Sequence, residues 1–162
     1  MRDRGRSQNS LIISVITVIL VVCLDRILKS FFYNHLLVGE SIPIIRNIFH
    51  ITLVHNTGIA FGLFKNHGVI FIIIPIVTII VIGYCLYRYH NHPEVSRFYV
   101  IAFSLILAGA MGNLIDRLIF GYVIDFIDFR IWPVFNLADS AITTGVFLIL
   151  IKYIPSCIKI TK

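Results

Sequence analysis

The chain has 162 residues, of which 58% are apolar and only 14% charged. Water-soluble domains hold nearer about 45–50% apolar and about 25% charged residues, so the composition excludes an ordinary soluble globule and points to one integral membrane domain. The net charge of +6 does not indicate nucleic acid, because the basic residues gather at the chain ends and in one short loop, as they do in the cytoplasmic segments of membrane proteins.

The chain opens with Arg2, Arg4 and Arg6, and an uncharged run follows over 11–24. No small-residue cleavage site follows it, so the segment reads as an uncleaved span over about 11–33, with a polar face that begins at Asp25. Residues 34–68 are too long for a simple turn. Within them Ser41–Ile45 and 49–54 are rich in Ile, Phe, Thr and Val and read as short strands of a small sheet at the membrane surface. Residues 69–87 carry no charge and are long enough to cross a bilayer; with flanking residues the span is about 69–89, and Pro75 is expected to kink it. A third span covers about 98–117, and a fourth about 137–154 with Asp139 at its start. The N-terminal arginines, Arg88, Arg97, Lys152, Lys159 and Lys162 lie on one side, the expected cytoplasm, which makes 34–68 and 117–136 extracytoplasmic.

Asp25, Lys29, Asn56, Asn113, Asp116, Arg117, Asp125, Asn136 and Asp139 all fall near one membrane face in this topology. A single such residue is ordinary snorkelling to water. Nine at one depth point to a site, since each ionisable group at membrane depth costs about 2.5–3.5 kcal/mol to insert. Asp25 and Lys29 share a helical face, as do Asn113 and Arg117, so each pair can neutralise itself or brace a neighbouring carboxylate. Cys23, Cys85 and Cys157 and the six histidines, His50, His55, His90 and His92 among them, show no metal-ligand spacing, so no metal or other cofactor is expected. No nucleophile elbow, phosphate loop or dinucleotide fingerprint occurs, and Ser140 has no histidine near it in sequence.

Carboxylates remain. Two close aspartates cannot both ionise easily, so one can hold a proton while the other activates water. Asp125 and Asp139 are the obvious pair, because 126–138 can fold back between them, but Asp116 and Asp128 compete on composition and spacing alone.

The strings DRILK (25–29), NTGIAFGLF (56–64), GNLIDRLIFGYVIDFIDF (112–129) and FNLADSAI (135–142) resemble the conserved blocks of the lipoprotein signal peptidases, signal peptidase II, in order and spacing along almost the whole chain. The resemblance implies a bacterial inner-membrane aspartic endopeptidase, an all-α polytopic fold with four transmembrane helices and a small extracytoplasmic β-cradle, in a single domain over 1–162. It implies a prolipoprotein substrate cut before a diacylglyceryl-cysteine, with membrane lipid as surroundings, both termini cytoplasmic, no cofactor, no nucleic acid and a monomer. It assigns catalysis to Asp125 and Asp139, and support or substrate binding to Asp25, Lys29, Asn56, Gly58, Asn113, Asp116, Arg117 and Asn136. Asp128 matches no role in the family and reads as a surface carboxylate. Two departures are minor: Ala108-Gly109 stands where Gly-Gly is common, and Arg26 where Gln is frequent. The glycine-x-glycine-aspartate motif of other intramembrane aspartic proteases is absent. A proton-coupled transporter carrying its proton on Asp25 is the non-enzyme alternative, but it wants its acid near the midplane.

Overall fold

A computed structural model describes residues 2–58, 69–90 and 96–160, with side chains described over 8–58, 69–90 and 96–153. Helix α1 is Arg2–His35, strand β1 Ser41–Ile45, strand β2 Phe49–Asn56, helix α2 Ile70–His90, helix α3 Arg97–Phe120, strand β3 Val123–Asp128 and helix α4 Leu137–Ile160. Residues 59–64 of the second block, the expected 34–68 segment beyond Gly58, His92, and the side chains of Lys159, Lys162 and Cys157 lie outside the described residues.

Among the described residues, three helices are long and apolar enough to cross a membrane: Gln8–His35, Ile70–His90 and Arg97–Phe120. At 1.5 Å per residue each reaches about 30 Å or more, the thickness of the hydrocarbon core. Their outward faces carry Leu11, Ile16, Ile73, Val77, Leu118 and Ile119, all exposed. In water such a surface would aggregate; in lipid it is the solvated face.

Helix α3 is the hub, packing on α1, α2 and α4. Its buried face is made of small residues, among them Ala102, Ser104, Ala108, Gly109, Ala110 and Gly112. Small residues let backbones close up where no hydrophobic effect operates between helices. At Gly109 the approach is so tight that a Cβ would overlap the Ala138 carbonyl of α4. Pro75 lies buried inside α2.

The sheet is antiparallel in the order β1-β2-β3. Strand β1 has the expected bounds, whereas β2 runs two residues past the expected 49–54 because it pairs with β3, aligning Val54 with Asp125 and Asn56 with Val123. Strand β3 was not apparent in the sequence. It buries both faces, with Val123, Ile124, Asp125 and Phe126 all inaccessible, so it shows no apolar–polar alternation. After β3 the chain doubles back: Phe135 donates its N–H to the Ile127 carbonyl at 3.0 Å and accepts from Ile127 N at 2.8 Å. That bridge brings Asn136 and the start of α4 alongside β3.

Asp128 corrects the expectation of a surface carboxylate. It is 4% exposed and is the last residue of β3, where the turn begins. It accepts hydrogen bonds from Thr52 Oγ1 at 2.7 Å, Arg130 N at 2.8 Å and Arg130 Nη1 at 3.0 Å. The buried site raises the cost of its charge, but the bonds from Thr52 and Arg130 outweigh that and hold its carboxyl below the usual range.

Candidate active site

The polar residues form two adjoining groups. In the first, Asp25 on α1 and Asp116 on α3 are both 0% exposed. Lys29 Nζ lies 2.9 Å from Asp25 Oδ2 and 2.8 Å from Asp116 Oδ2. Arg26 bridges the same carboxylates, at 3.1 Å to Asp25 and 2.6 Å to Asp116. Two cations on two anions leave the cluster neutral, the condition under which buried charge is tolerated. The carboxylates also bind backbone: Asp25 Oδ1 accepts Ala138 N at 3.1 Å, and Asp116 Oδ2, besides Lys29, accepts Ile124 N at 3.2 Å. The cluster therefore ties α1 and α3 to β3 and to the first turn of α4.

The second group is built on amides. Lys29 Nζ donates to Asn113 Oδ1 at 3.1 Å, which turns the Asn113 amide so that its Nδ2 donates to Asp139 Oδ1 at 2.7 Å. Asn136 caps α4. Its Oδ1 accepts Asp139 N at 2.9 Å, while its own N donates to Asp139 Oδ2 at 3.3 Å. This is the reciprocal arrangement of a capping box, and it holds a carboxylate at the positive end of the helix dipole. Asn136 Nδ2 also donates to Asp125 Oδ1 at 2.7 Å. Asn56 Nδ2, from β2, donates to Asp125 Oδ2 at 2.8 Å. The Asp125 and Asp139 carboxylates thus share one asparagine.

Asp125 is 1% exposed. Burial pushes its carboxyl up, the bond from Asn56 pulls it down and the charge of Asp139 pushes it up again; Asn136 and Lys29 lower it, and the balance lies at about 7. Neither Asp125 nor Asp139 makes an ion pair among the described residues.

Gly58 follows two residues after Asn56, at φ 77°. Its N–H donates to Asn56 Oδ1 at 2.8 Å, which orients the amide toward Asp125. A Cβ there would lie 2.8 Å from the Phe71 ring, so the position needs glycine for both conformation and space. The neighbouring His55 ring stacks on Tyr122 at 3.9 Å and on Tyr33 at 5.8 Å, fastening β2 to α1 and to the turn after α3. Burial lowers the pKa of His55. Arg117 makes no ion pair among the described residues and lines a cavity of about 270 Å³ with Asp139, Asn113, Phe71 and Pro75.

The profile of the family described as Signal peptidase (SPase) II matches residues 17–155. The chain belongs to the signal peptidase II family. A lipoprotein signal peptidase of Halothermothrix orenii is 45% identical over 136 residues, covering 84% of this chain and 91% of the relative. One of Streptococcus pyogenes serotype M1 is 40% identical over 139 residues, covering 85% and 90%. A solved bacterial membrane enzyme at 34% identity superposes with a TM-score of 0.77 over 89% of this chain and 88% of its own. A second, at 35% identity, gives 0.76 over 86% and 91%. The protein is therefore a bacterial membrane peptidase.

Every residue that the signal peptidase II resemblance singled out, Arg117 excepted, lies in one of these two hydrogen-bonded groups. Sequence reasoning gave Arg26 no task; it is a second cation shared between Asp25 and Asp116, and its nearness to Asp25 was the available signal. Asp116, a competitor for the acidic pair on spacing alone, is held in the ion cluster. Asp128, the other competitor, sits at the far end of β3, paired in register with His50.

Proposed function

We propose that this chain is an aspartic endopeptidase that removes the signal peptide from diacylglyceryl-modified prolipoproteins, cutting just before the lipidated cysteine with Asp125 and Asp139 as its dyad. The observation that carries the reading is the shared asparagine: Asn136 reaches Asp125 through its side chain at 2.7 Å and Asp139 through its backbone N–H at 3.3 Å. Two carboxylates so close, free of ion pairs and one of them titrating near 7, suit a pair that holds a single proton.

In this mechanism Asp139, at the helix N-terminus, takes a proton from a water whose oxygen attacks the scissile carbonyl carbon. Asp125 gives its proton to the carbonyl oxygen, producing a gem-diol. Asp139 then passes its proton to the amide nitrogen as the C–N bond breaks, and Asp125 recovers one from a gem-diol hydroxyl. The products are a carboxylic acid and the free amine of the lipidated cysteine, and the dyad is back in its starting state. No metal or other cofactor takes part. Asn56, Asn113 and Asn136 fix the carboxylates, Gly58 fixes Asn56, and Arg117, beside Asp139 in its cavity, holds substrate backbone.

The same reading makes α4 a fourth span over about 137–154, beside spans over about 11–33, 69–89 and 98–117, in one domain over 1–162. Both termini then face the cytoplasm of an inner-membrane monomer, with 34–68 and 117–136 and the dyad on the outer side. The run of residues 140–151 without charge supports it.

The test is cleavage of a diacylated prolipoprotein by purified protein in lipid nanodiscs. Asp125→Asn and Asp139→Asn each lower turnover by about 10⁴-fold, the upper end of what one positioned acid or base contributes, with the thermal transition retained. Turnover near wild type in either variant removes that residue from the dyad.

A further inference from the structure

The turn after β3 puts apolar side chains where a protein in water would hide them. Ile131 is 93% exposed and Trp132 69% exposed. The turn is nevertheless held firmly. Arg130 stands at φ 65°, a region L side chains rarely adopt. It is kept there by the three hydrogen bonds on buried Asp128, from Thr52 Oγ1, Arg130 N and Arg130 Nη1, and by Ile131 N donating to Phe129 O at 2.8 Å. A buried carboxylate and a left-handed residue are thus used to turn two large apolar side chains outward.

Two observations say what they face. Helix α4 begins at Leu137, five residues after Trp132, and farther along it Val146, Phe147 and Leu150 are exposed. The turn and α4 thus both present apolar side chains to the outside. Under the turn lies a recess of about 520 Å³, walled by Phe129, Ile131, Trp132 and Phe135 and, on α4, by Thr143 and Thr144. It follows the first two turns of α4, about 10 Å, and Asp139 lies on its wall. Tryptophan is favoured at the membrane–water boundary, where one side of the ring is apolar and the other wet.

We infer that the Arg130–Trp132 turn is a membrane anchor, inserting Ile131 and Trp132 into the outer leaflet of phospholipid and fixing the height of the Asp139 end of α4 at the lipid boundary. The inference rests on the four-span reading above but not on the chemistry assigned to the dyad. The half-exposed Arg130 guanidinium, with only Nη1 engaged by Asp128, presents its other N–H groups at the level of lipid phosphates.

The chain has one tryptophan, so intrinsic emission reports on Trp132 alone. The unmodified protein is reconstituted into vesicles of phospholipids brominated at a shallow or a deep acyl carbon, and the same spectra are recorded with iodide in the water. Blue-shifted emission, quenched more by the shallow bromine than by the deep one and little by iodide, is the expected result. Ile131→Ser, a change at an almost fully exposed position, then shifts emission to the red and loses at least half of the bromine quenching. Quenching by iodide without bromine quenching overturns the inference, as does protection from both, which means that protein covers the ring. Asp139→Asn, which removes cleavage under the proposed mechanism, leaves the spectra unchanged, so failure of the anchor and failure of the dyad are read separately.

Discussion

Two pairs of aspartates lie a few hydrogen bonds apart in this molecule and are held in opposite ways. Asp25 and Asp116 are bridged by Lys29 and Arg26 at 2.6–3.1 Å. Among the described residues, Asp125 and Asp139 are hydrogen-bonded by amides alone, from Asn56, Asn113 and Asn136, at 2.7–3.3 Å. Cations pair directly with a carboxylate and give it a structural task. Amide donors bring no charge of their own, and at Asp125 burial outweighs the pull of the Asn56 and Asn136 bonds, so a proton can be held there. The same residue type at the same depth is a rivet in one group and proposed machinery in the other, and the partner decides which.

The comparison breaks most sharply at Asp116. Asp116→Asn leaves Lys29 and Arg26 sharing one carboxylate in a buried site, and removing one partner from such a cluster costs about 3–5 kcal/mol. The thermal midpoint in detergent should drop well below that of wild type, whereas Asp125→Asn should not lower it. If the two variants melt alike, the division into rivet and machinery is wrong. Next is Asn136→Ala, which strips the Nδ2 donor from Asp125 and removes the Oδ1 that accepts Asp139 N–H. A fall in kcat of about 10²-fold is expected, near 2.7 kcal/mol of barrier, beside about 1 kcal/mol of stability for the lost cap. A loss of stability with kcat unchanged would reduce Asn136 to a helix cap.

A third test is the pH response of Asp125. Its carboxyl titrates near 7 in the folded chain against an ordinary value of 3.8. The folded state therefore binds this proton more tightly than the unfolded one, and the stabilisation it brings is full below about 4 and lost as pH climbs through 7. Wild-type stability should fall over that window relative to Asp125→Asn, which has no proton to lose. Cleavage should fall over the same range, approaching tenfold per pH unit above 7, as the dyad loses its shared proton. A flat profile between 6 and 9 would contradict the assignment of the proton to Asp125.

Much of this was legible in the sequence, for identifiable reasons. Uncharged runs gave the three apolar helices and the start of α4, because the need to satisfy backbone groups in lipid leaves few alternatives. Strand β1 was readable from its β-branched residues, with its bounds correct. The four sequence blocks named the polar residues that the fold then joined. Strand β3 was not readable, since a strand buried on both faces has no period to detect, and its two aspartates argue against a strand. Asp128 was misread for a related reason: nothing near it in sequence announces Thr52, 76 positions away, as its partner. The pairing of Arg26 with Asp116 was equally invisible, because it depends on how α1 and α3 are turned toward each other.

The bond from Ala138 N to Asp25 Oδ1 joins positions 113 apart in the chain. It has a consequence for the order in which the molecule is made. Asp25 leaves the ribosome early, and its last partner is supplied only when α4 arrives. Asn136 and Asp139 come with that same final helix, so Asp125 waits through synthesis without its neighbours. Under the proposed mechanism, a protease assembled this way has no working dyad until Asn136 and Asp139 have been made.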